Sequence, residues 1–261
     1  MIIISEKLNS SIPSSLKIME NGTDEEIKQF IMSQVAAGAS YIDLNAALCK
    51  DEAATAKRIA DIIIDNTDAG IAVDSPSATA MEEIVSHIGS RRKIIINSIT
   101  VNERHENISL AKKYSAGIIA VLTSEKGVPE TAEERKENAE KTIKILRDNG
   151  ISDDNIYIDI VAKSAAVSDT AASSALKAIT LIKESFPDVH ITCGLSNISF
   201  GLPQRKVLNS AFFSVAAYLG MDAPICDATA VSIRSAAAAS GILSGTDEYC
   251  MEYIEEMRGM S

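Results

Sequence analysis

Two periodicities take turns along this chain. Runs of consecutive apolar residues of strand length occur at 2–4, 41–44, 71–73, 93–96, 117–122, 156–158, 190–193 and 223–226. Between them lie helix-length stretches with apolar positions every three or four residues, at 24–37, 52–64, 79–88, 106–114, 132–149, 170–185, 204–219 and 233–243. Runs that are apolar on successive residues suit parallel strands buried on both faces, with the helices as crossovers. Eight such units in about 250 residues is the size of a (βα)8 TIM barrel. A doubly wound open sheet fits the same alternation. The stretch 246–257 reads as an extra C-terminal acidic amphipathic helix that covers the barrel or joins an oligomer contact. No stretch reads as a linker, so 1–261 is taken as one domain.

The residues that end each run change the picture more than the runs do. They are Glu6 with Asn9, Asp43 with Asn45, Asp74, Asn97 with Ser98, Thr123, Asp159, Asn197 and Asp227. In a barrel all of these lie at the C-terminal mouth, where catalytic side chains gather. Helix capping is the competing explanation. Ser75 or Ser77 is available to cap the helix after Asp74, which leaves that carboxylate free. Asn97 and Asp159 stand several residues ahead of their helices, too far to cap them. Capping explains Asp227 better, and for Asp43 the two explanations are balanced. The densest polar stretch is Cys193-Gly-Leu-Ser-Asn-Ile-Ser-Phe-Gly-Leu-Pro-Gln-Arg205, which sets Ser196, Asn197, Ser199, Gln204 and Arg205 between a strand and a helix.

Composition narrows the partners. The formal net charge of −11 argues against a general basic surface for nucleic acid. The N-terminal Met-Ile-Ile-Ile run is too short for a signal peptide or a membrane span, which places the protein in the cytoplasm. Cys49, Cys193, Cys226 and Cys250 form no C-x-x-C pair, and His87, His105 and His190 lack metal-ligand spacing, so free thiols and no protein-bound metal are expected. No glycine fingerprint for phosphate is present.

Carboxylates and amides converging on one mouth suit a flat, nitrogen-rich ligand. A carboxylate accepts two parallel N–H bonds, and an Asn amide both donates and accepts. The amino, ring N–H and carbonyl edge of a pterin presents that pattern. Ser5-Glu-Lys-Leu-Asn9, Asp43-Leu-Asn45, Val73-Asp74-Ser75, Ile96-Asn97-Ser98, Tyr157-Ile-Asp159 and Gly194-Leu-Ser-Asn-Ile-Ser199 resemble, in order, the strand ends of the methyltetrahydrofolate:corrinoid protein methyltransferase family. Ser5 stands where Gly is usual, and Phe200-Gly201-Leu202-Pro203 replaces a more polar stretch.

The resemblance implies that Asp74, Asn97 and Asp159 grip the pterin ring, that Asn197 lies beside N5, and that Arg205 lies near the substrate. Glu6, Asn9, Asp43, Asn45, Ser98 and Ser196 would surround them, as supporting contacts or a proton relay. It implies tetrahydrofolate or 5-methyltetrahydrofolate as substrate, a cobalamin-type corrinoid on a separate partner protein, and a homodimer. Glu6, Asp43 and water are all candidate sources of the proton at N5. Cobalamin domains that ligate cobalt through histidine use Asp-x-His-x-x-Gly. Here Asp188-Val-His190-Ile-Thr-Cys-Gly194 is one residue too long, and His190 reads as an edge residue. A dihydropteroate synthase-like enzyme and a non-catalytic barrel that binds a corrinoid protein are the alternatives.

Overall fold

A computed structural model describes residues 1–259. The eight apolar runs are eight parallel strands: β1 (Ile4–Ser5), β2 (Tyr41–Leu44), β3 (Gly70–Asp74), β4 (Ile94–Thr100), β5 (Gly117–Val121), β6 (Ile156–Asp159), β7 (His190–Thr192) and β8 (Ile225–Cys226). Each strand neighbours the next in sequence, and β8 pairs with β1. The gap between β7 and β8 is closed by backbone bonds from Ala223 to Ile191 and from Ile225 to Cys193, both 3.0 Å. The fold is a (βα)8 barrel rather than an open sheet.

The crossovers are α2 (Asp24–Ala36), α3 (Glu52–Asn66), α4 (Ala78–Ile88), α5 (Glu106–Tyr114), α6 (Ala132–Asp148), α7 (Ala171–Ser185), α8 (Arg205–Tyr218) and α9 (Val231–Ser244). Capping boxes start α2 at Thr23 with Glu26 and α6 at Thr131 with Glu134, each contributing about 1 kcal/mol. An unanticipated α1 (Pro13–Asn21) precedes α2; Pro13 starts it and no side chain caps it. The C-terminal helix α10 (Met251–Gly259) packs on α9 but begins later than expected, because Tyr249 and Cys250 are left-handed. Asp247 accepts the backbone N–H groups of Glu252 and Tyr253, both at 3.0 Å.

The barrel has two cores. One lies between sheet and helices. The other fills the barrel with Ile4, Ala72, Ile95, Ile119, Tyr157, Ala223 and Ile225. At the N-terminal end of the barrel, close approach decides the sequence: a Cβ on Gly70 would lie 2.2 Å from the Tyr41 ring, and one on Gly117 would lie 2.7 Å from Tyr157. Tyr157 stacks on His190 with centroids 4.6 Å apart, and His190 Nδ1 lies 2.9 Å from Asp222 Oδ2. His190 is therefore part of this packed base rather than an edge residue.

Two capping questions are settled. Ser77 caps α4, accepting from the Ala80 N–H, while Ser75 donates to Glu52 at 2.5 Å. Asp227 is not the cap of α9, whose cap position is Ala230. Asp227 instead accepts from the Thr229 N–H and hydroxyl and pairs with Lys7 at 2.7 Å, an Asx turn with an ion pair.

Candidate functional site

Side-chain parity assembles the site. Along a strand every second residue faces the same way. Two steps on from the interior residues Ile4, Tyr41, Ala72, Ile95, Tyr157 and Ile225 come Glu6, Asp43, Asp74, Asn97, Asp159 and Asp227. Asn45 is two further from Asp43. The barrel interior thus changes from apolar to acidic and amide side chains within one layer, at the C-terminal mouth.

The layer is hydrogen-bonded across strands. Asp74 and Asn97 are Cα partners between β3 and β4. Asn45 Nδ2 donates to Asp74 Oδ2 at 2.8 Å, and the Asn97 side chain favours the charged form of the Asp43 carboxyl. Asn45 Oδ1 accepts from Ser10 Oγ at 3.0 Å, which orients its amide. Asp159 Oδ1 accepts the Val161 N–H at 2.8 Å. Asn9 turns to its own loop, accepting from Ser11. Ser98 is the extra residue of a β-bulge, since Asn97 pairs with Ile119 and Ile99 with Ala120; its carbonyl accepts from Asn107 at 3.0 Å.

These carboxyls are electrostatically uncomfortable. Burial raises Asp159 to about 6, against the opposing Val161 N–H. Burial also pushes Asp43 well up, the Asp74 charge adds to this, and Asn97 opposes it. Asp74 is raised by burial, with Asn45 and the Arg104 charge opposing. Glu6 is raised by burial and held back by Ser196. Asp43 Oδ1 and Thr192 Oγ1 are buried without a hydrogen-bond partner. These two unmatched atoms and the raised carboxyl pKa values make the mouth a candidate site.

Asn197 comes from a different element, a 3-10 turn at Leu195–Ser199 after β7. The turn begins on Gly194, and a Cβ there would lie 2.9 Å from Asn197 Nδ2, so glycine lets the amide fold back over the backbone. Asn197 remains exposed at the mouth. Ser196 Oγ donates to Glu6 Oε2 at 3.1 Å, and Arg205 donates to Ser196 O at 2.7 Å and to Ser199 Oγ at 3.0 Å. Glu6, Ser196, Arg205, Lys206, Asn209 and Asp227 line a cavity of about 190 Å³ beside this turn.

Sequence reasoning missed two arginines. Arg104 donates to Ser75 O beside Asp74. Arg135 is fully buried and donates to Ile160 O at 2.8 Å, Val161 O at 3.3 Å and Ser174 Oγ at 2.8 Å, which fixes the chain leaving Asp159. Its signal in the sequence was faint: an Arg four residues into a helix reads as solvated. Among the described residues, no group of three or more His, Cys, Asp or Glu is placed to hold a metal, and no helix is long and apolar enough to cross a membrane.

Comparison with known proteins fits this geometry. The chain is 29% identical over 99% of its length to the methylcorrinoid:tetrahydrofolate methyltransferase of Eubacterium limosum, covering 96% of that protein. It is 26% identical over 88% of its length to 21% of the methionine synthase of Mycobacterium tuberculosis. Two solved structures share the fold at 15% identity and a TM-score of 0.67. They are Yersinia pestis DHPS with a pterine-sulfa conjugate (94% of this chain, 93% of that one) and the Xanthomonas albilineans dihydropteroate synthase with 7,8-dihydropteroate (91% and 92%). The family model described as pterin binding enzyme matches residues 7–227, a span that holds every strand from β2 to β8, and the chain belongs to that pterin-binding family.

Proposed function

We propose that this protein moves a methyl group between N5 of tetrahydrofolate and the cobalt of a corrinoid held by a separate protein. The observation that carries the proposal is the cross-strand set Asn45–Asp74 and Asp43–Asn97 beside Asp159, at the mouth of a barrel whose full-length relative is named for that reaction. In this reading Asp74, Asn97 and Asp159 take the amino, ring N–H and carbonyl edge of the pterin. The Asp159 oxygen not used by Val161 accepts from the ligand. Arg205 stands at the rim of the site.

The chemical difficulty is the leaving group. A tertiary amine departs poorly unless N5 gains positive charge. An amide is no acid, but Asn197 can accept a hydrogen bond from protonated N5. That bond strengthens as the proton arrives, so it favours the transition state over the ground state. Asp43, pushed well up by burial and by the Asp74 charge, is the carboxyl that carries the proton in this reading. When the partner docks, its corrinoid supplies the cobalt that exchanges the methyl, and the barrel contributes alignment.

Two observations favour this reading over its neighbours. His190 is stacked and hydrogen-bonded at the N-terminal end of the barrel, remote from the strand-end cluster, which supports a corrinoid on another protein. A dihydropteroate synthase-like reaction needs cations for a diphosphate. Here Arg234 Nε sits 2.6 Å from Glu256, and Arg205 is held by the Asn197 turn. The test is purified protein with 5-methyltetrahydrofolate and cob(I)alamin, and the reverse pair, followed by the Co(I) absorbance. Folate-dependent methylation is expected, and its absence in both directions overturns the proposal.

A further inference from the structure

Asn197 sits on a five-residue 3-10 turn, a poor platform for a side chain that must meet one nitrogen of a ligand. The turn's own backbone bonds are Asn197 N–H to Gly194 O and Phe200 N–H to Asn197 O, both at 3.1 Å. Buried Leu195 and Ile198, with Ile198 O accepting the Ala165 N–H at 2.9 Å, hold the inner side of the turn, and the mouth side that carries exposed Asn197 needs its own hold. We propose that Glu6 and Arg205 form a clamp that positions Asn197, with Ser196 as the residue both of them grip. The inference rests on the catalytic role given to Asn197 above.

Ser196 immediately precedes Asn197 and has a charged partner at each end. Its hydroxyl donates to Glu6 Oε2 across 190 residues of sequence, and its carbonyl accepts from Arg205 Nη2. Arg205 Nε also donates to Ser199 Oγ, so the guanidinium spans the turn from its second residue to its last. Hydrogen bonds to ionised groups are roughly twice as strong as neutral ones. Glu6 is anchored in turn, since its N–H donates to Cys226 O at 3.0 Å, where β1 meets β8. A turn after β7 is thereby tied to the rigid sheet.

The approach of Arg205 has a conformational cost. Gln204 just before it is left-handed, with φ 51° and ψ 42° and no glycine to ease it. A non-glycine residue is strained there, and such strain persists where surrounding contacts over-determine it. The bend coincides with the start of α8 and brings Arg205 back over the Asn197 turn.

The test uses the full-length protein with Glu6→Ala, Glu6→Gln, Ser196→Ala and the Glu6→Ala/Ser196→Ala pair. Readouts are kcat and KM with 5-methyltetrahydrofolate and cob(I)alamin, the calorimetric Kd for tetrahydrofolate, and the Asn197 side-chain amide resonance, assigned with Asn197→Ala. A positioning role predicts that Glu6→Ala and Ser196→Ala each lower kcat by about tenfold or more while Kd moves by less than about threefold. The pair should be no worse than either single change. Glu6→Gln keeps an acceptor for the Ser196 hydroxyl and should keep most of the rate.

A Glu6→Gln as impaired as Glu6→Ala would make Glu6 a proton donor and overturn the clamp. Additive losses, or an unchanged kcat in Ser196→Ala, would also overturn it. If the wild type binds tetrahydrofolate but transfers no methyl, the methyl-transfer reading fails, and the amide resonance still decides the clamp. A shifted or broadened signal in Ser196→Ala but not in Glu6→Gln supports it, and an unmoved signal in Ser196→Ala overturns it. Ser196→Ala removes a single hydroxyl, so the result stands even if Glu6→Ala fails to fold.

Discussion

Asp159→Asn should make the protein more stable and worse at binding its ligand. Burial raises Asp159 to about 6 from an ordinary value of 3.8, so the native state opposes the charge that the side chain carries at pH 7. For an acid the sign is clear: a raised folded-state pKa lowers stability above that pKa, and the penalty fades as pH falls toward the unfolded value. A gap of about 2 pKa units amounts to about 3 kcal/mol at pH 7 and about 1.5 kcal/mol at pH 5. Asn keeps the Val161 N–H bond through Oδ1 and carries no charge. The variant should therefore gain up to that amount over wild type at pH 7, with the gain shrinking toward pH 4.

Ligand affinity should move the opposite way. If ligand N–H groups bind the Asp159 carboxylate, the wild-type Kd for tetrahydrofolate rises about tenfold between pH 7 and pH 5, because a proton must first leave. Dividing by the variant's Kd at each pH cancels the titration of the ligand and of Asp43 and Asp74. Calorimetry gives the Kd values and thermal unfolding gives the stability. A wild-type to variant Kd ratio that is flat from pH 5 to 7, or a variant less stable than wild type at pH 7, would refute the reasoning.

Other changes separate chemistry from placement. Asn197→Ala should lower methyl-transfer kcat by about 100-fold, as loss of a transition-state hydrogen bond does, with a much smaller change in Kd; equal losses in both would make it a binding residue only. Gly194→Ala should impair kcat similarly, since the new Cβ would meet Asn197 Nδ2 at 2.9 Å, while φ −67° leaves the backbone unstrained. An unchanged rate in that variant would show that the amide position is not critical. Arg135→Met should lower both stability, by about 3 kcal/mol or more, and tetrahydrofolate affinity, because it leaves the Ile160 and Val161 carbonyls unmatched beside Asp159. Thermal unfolding and calorimetry distinguish it from Asp159→Asn, which moves stability the other way.

Much of this fold could be read from spacing because barrel strands are buried on both faces and announce themselves as apolar runs. The run 41–44 is β2 and the stretch 106–114 is α5, residue for residue. Strand-end polarity was equally legible: Asp74, Asn97 and Asp159 stand two residues past interior Ala72, Ile95 and Tyr157. What escaped depends on distant contacts. Helix α1 is rich in Ser and has no capping side chain, so local pattern was weak. Asp227 looked like a cap from its neighbours, but Lys7 and Thr229 claim it. No local signal shows that Glu6 and Ser196 touch, or that Arg135 turns inward from α6.

Crystals grown with 5-methyltetrahydrofolate would test most directly whether these strand ends surround one pterin. The pteridine edge is expected against Asp74, Asn97 and Asp159, with N5 within hydrogen-bond reach of the Asn197 amide. A folate bound away from the barrel mouth, or one whose N5 faces away from Asn197, would contradict the proposed site and its chemistry.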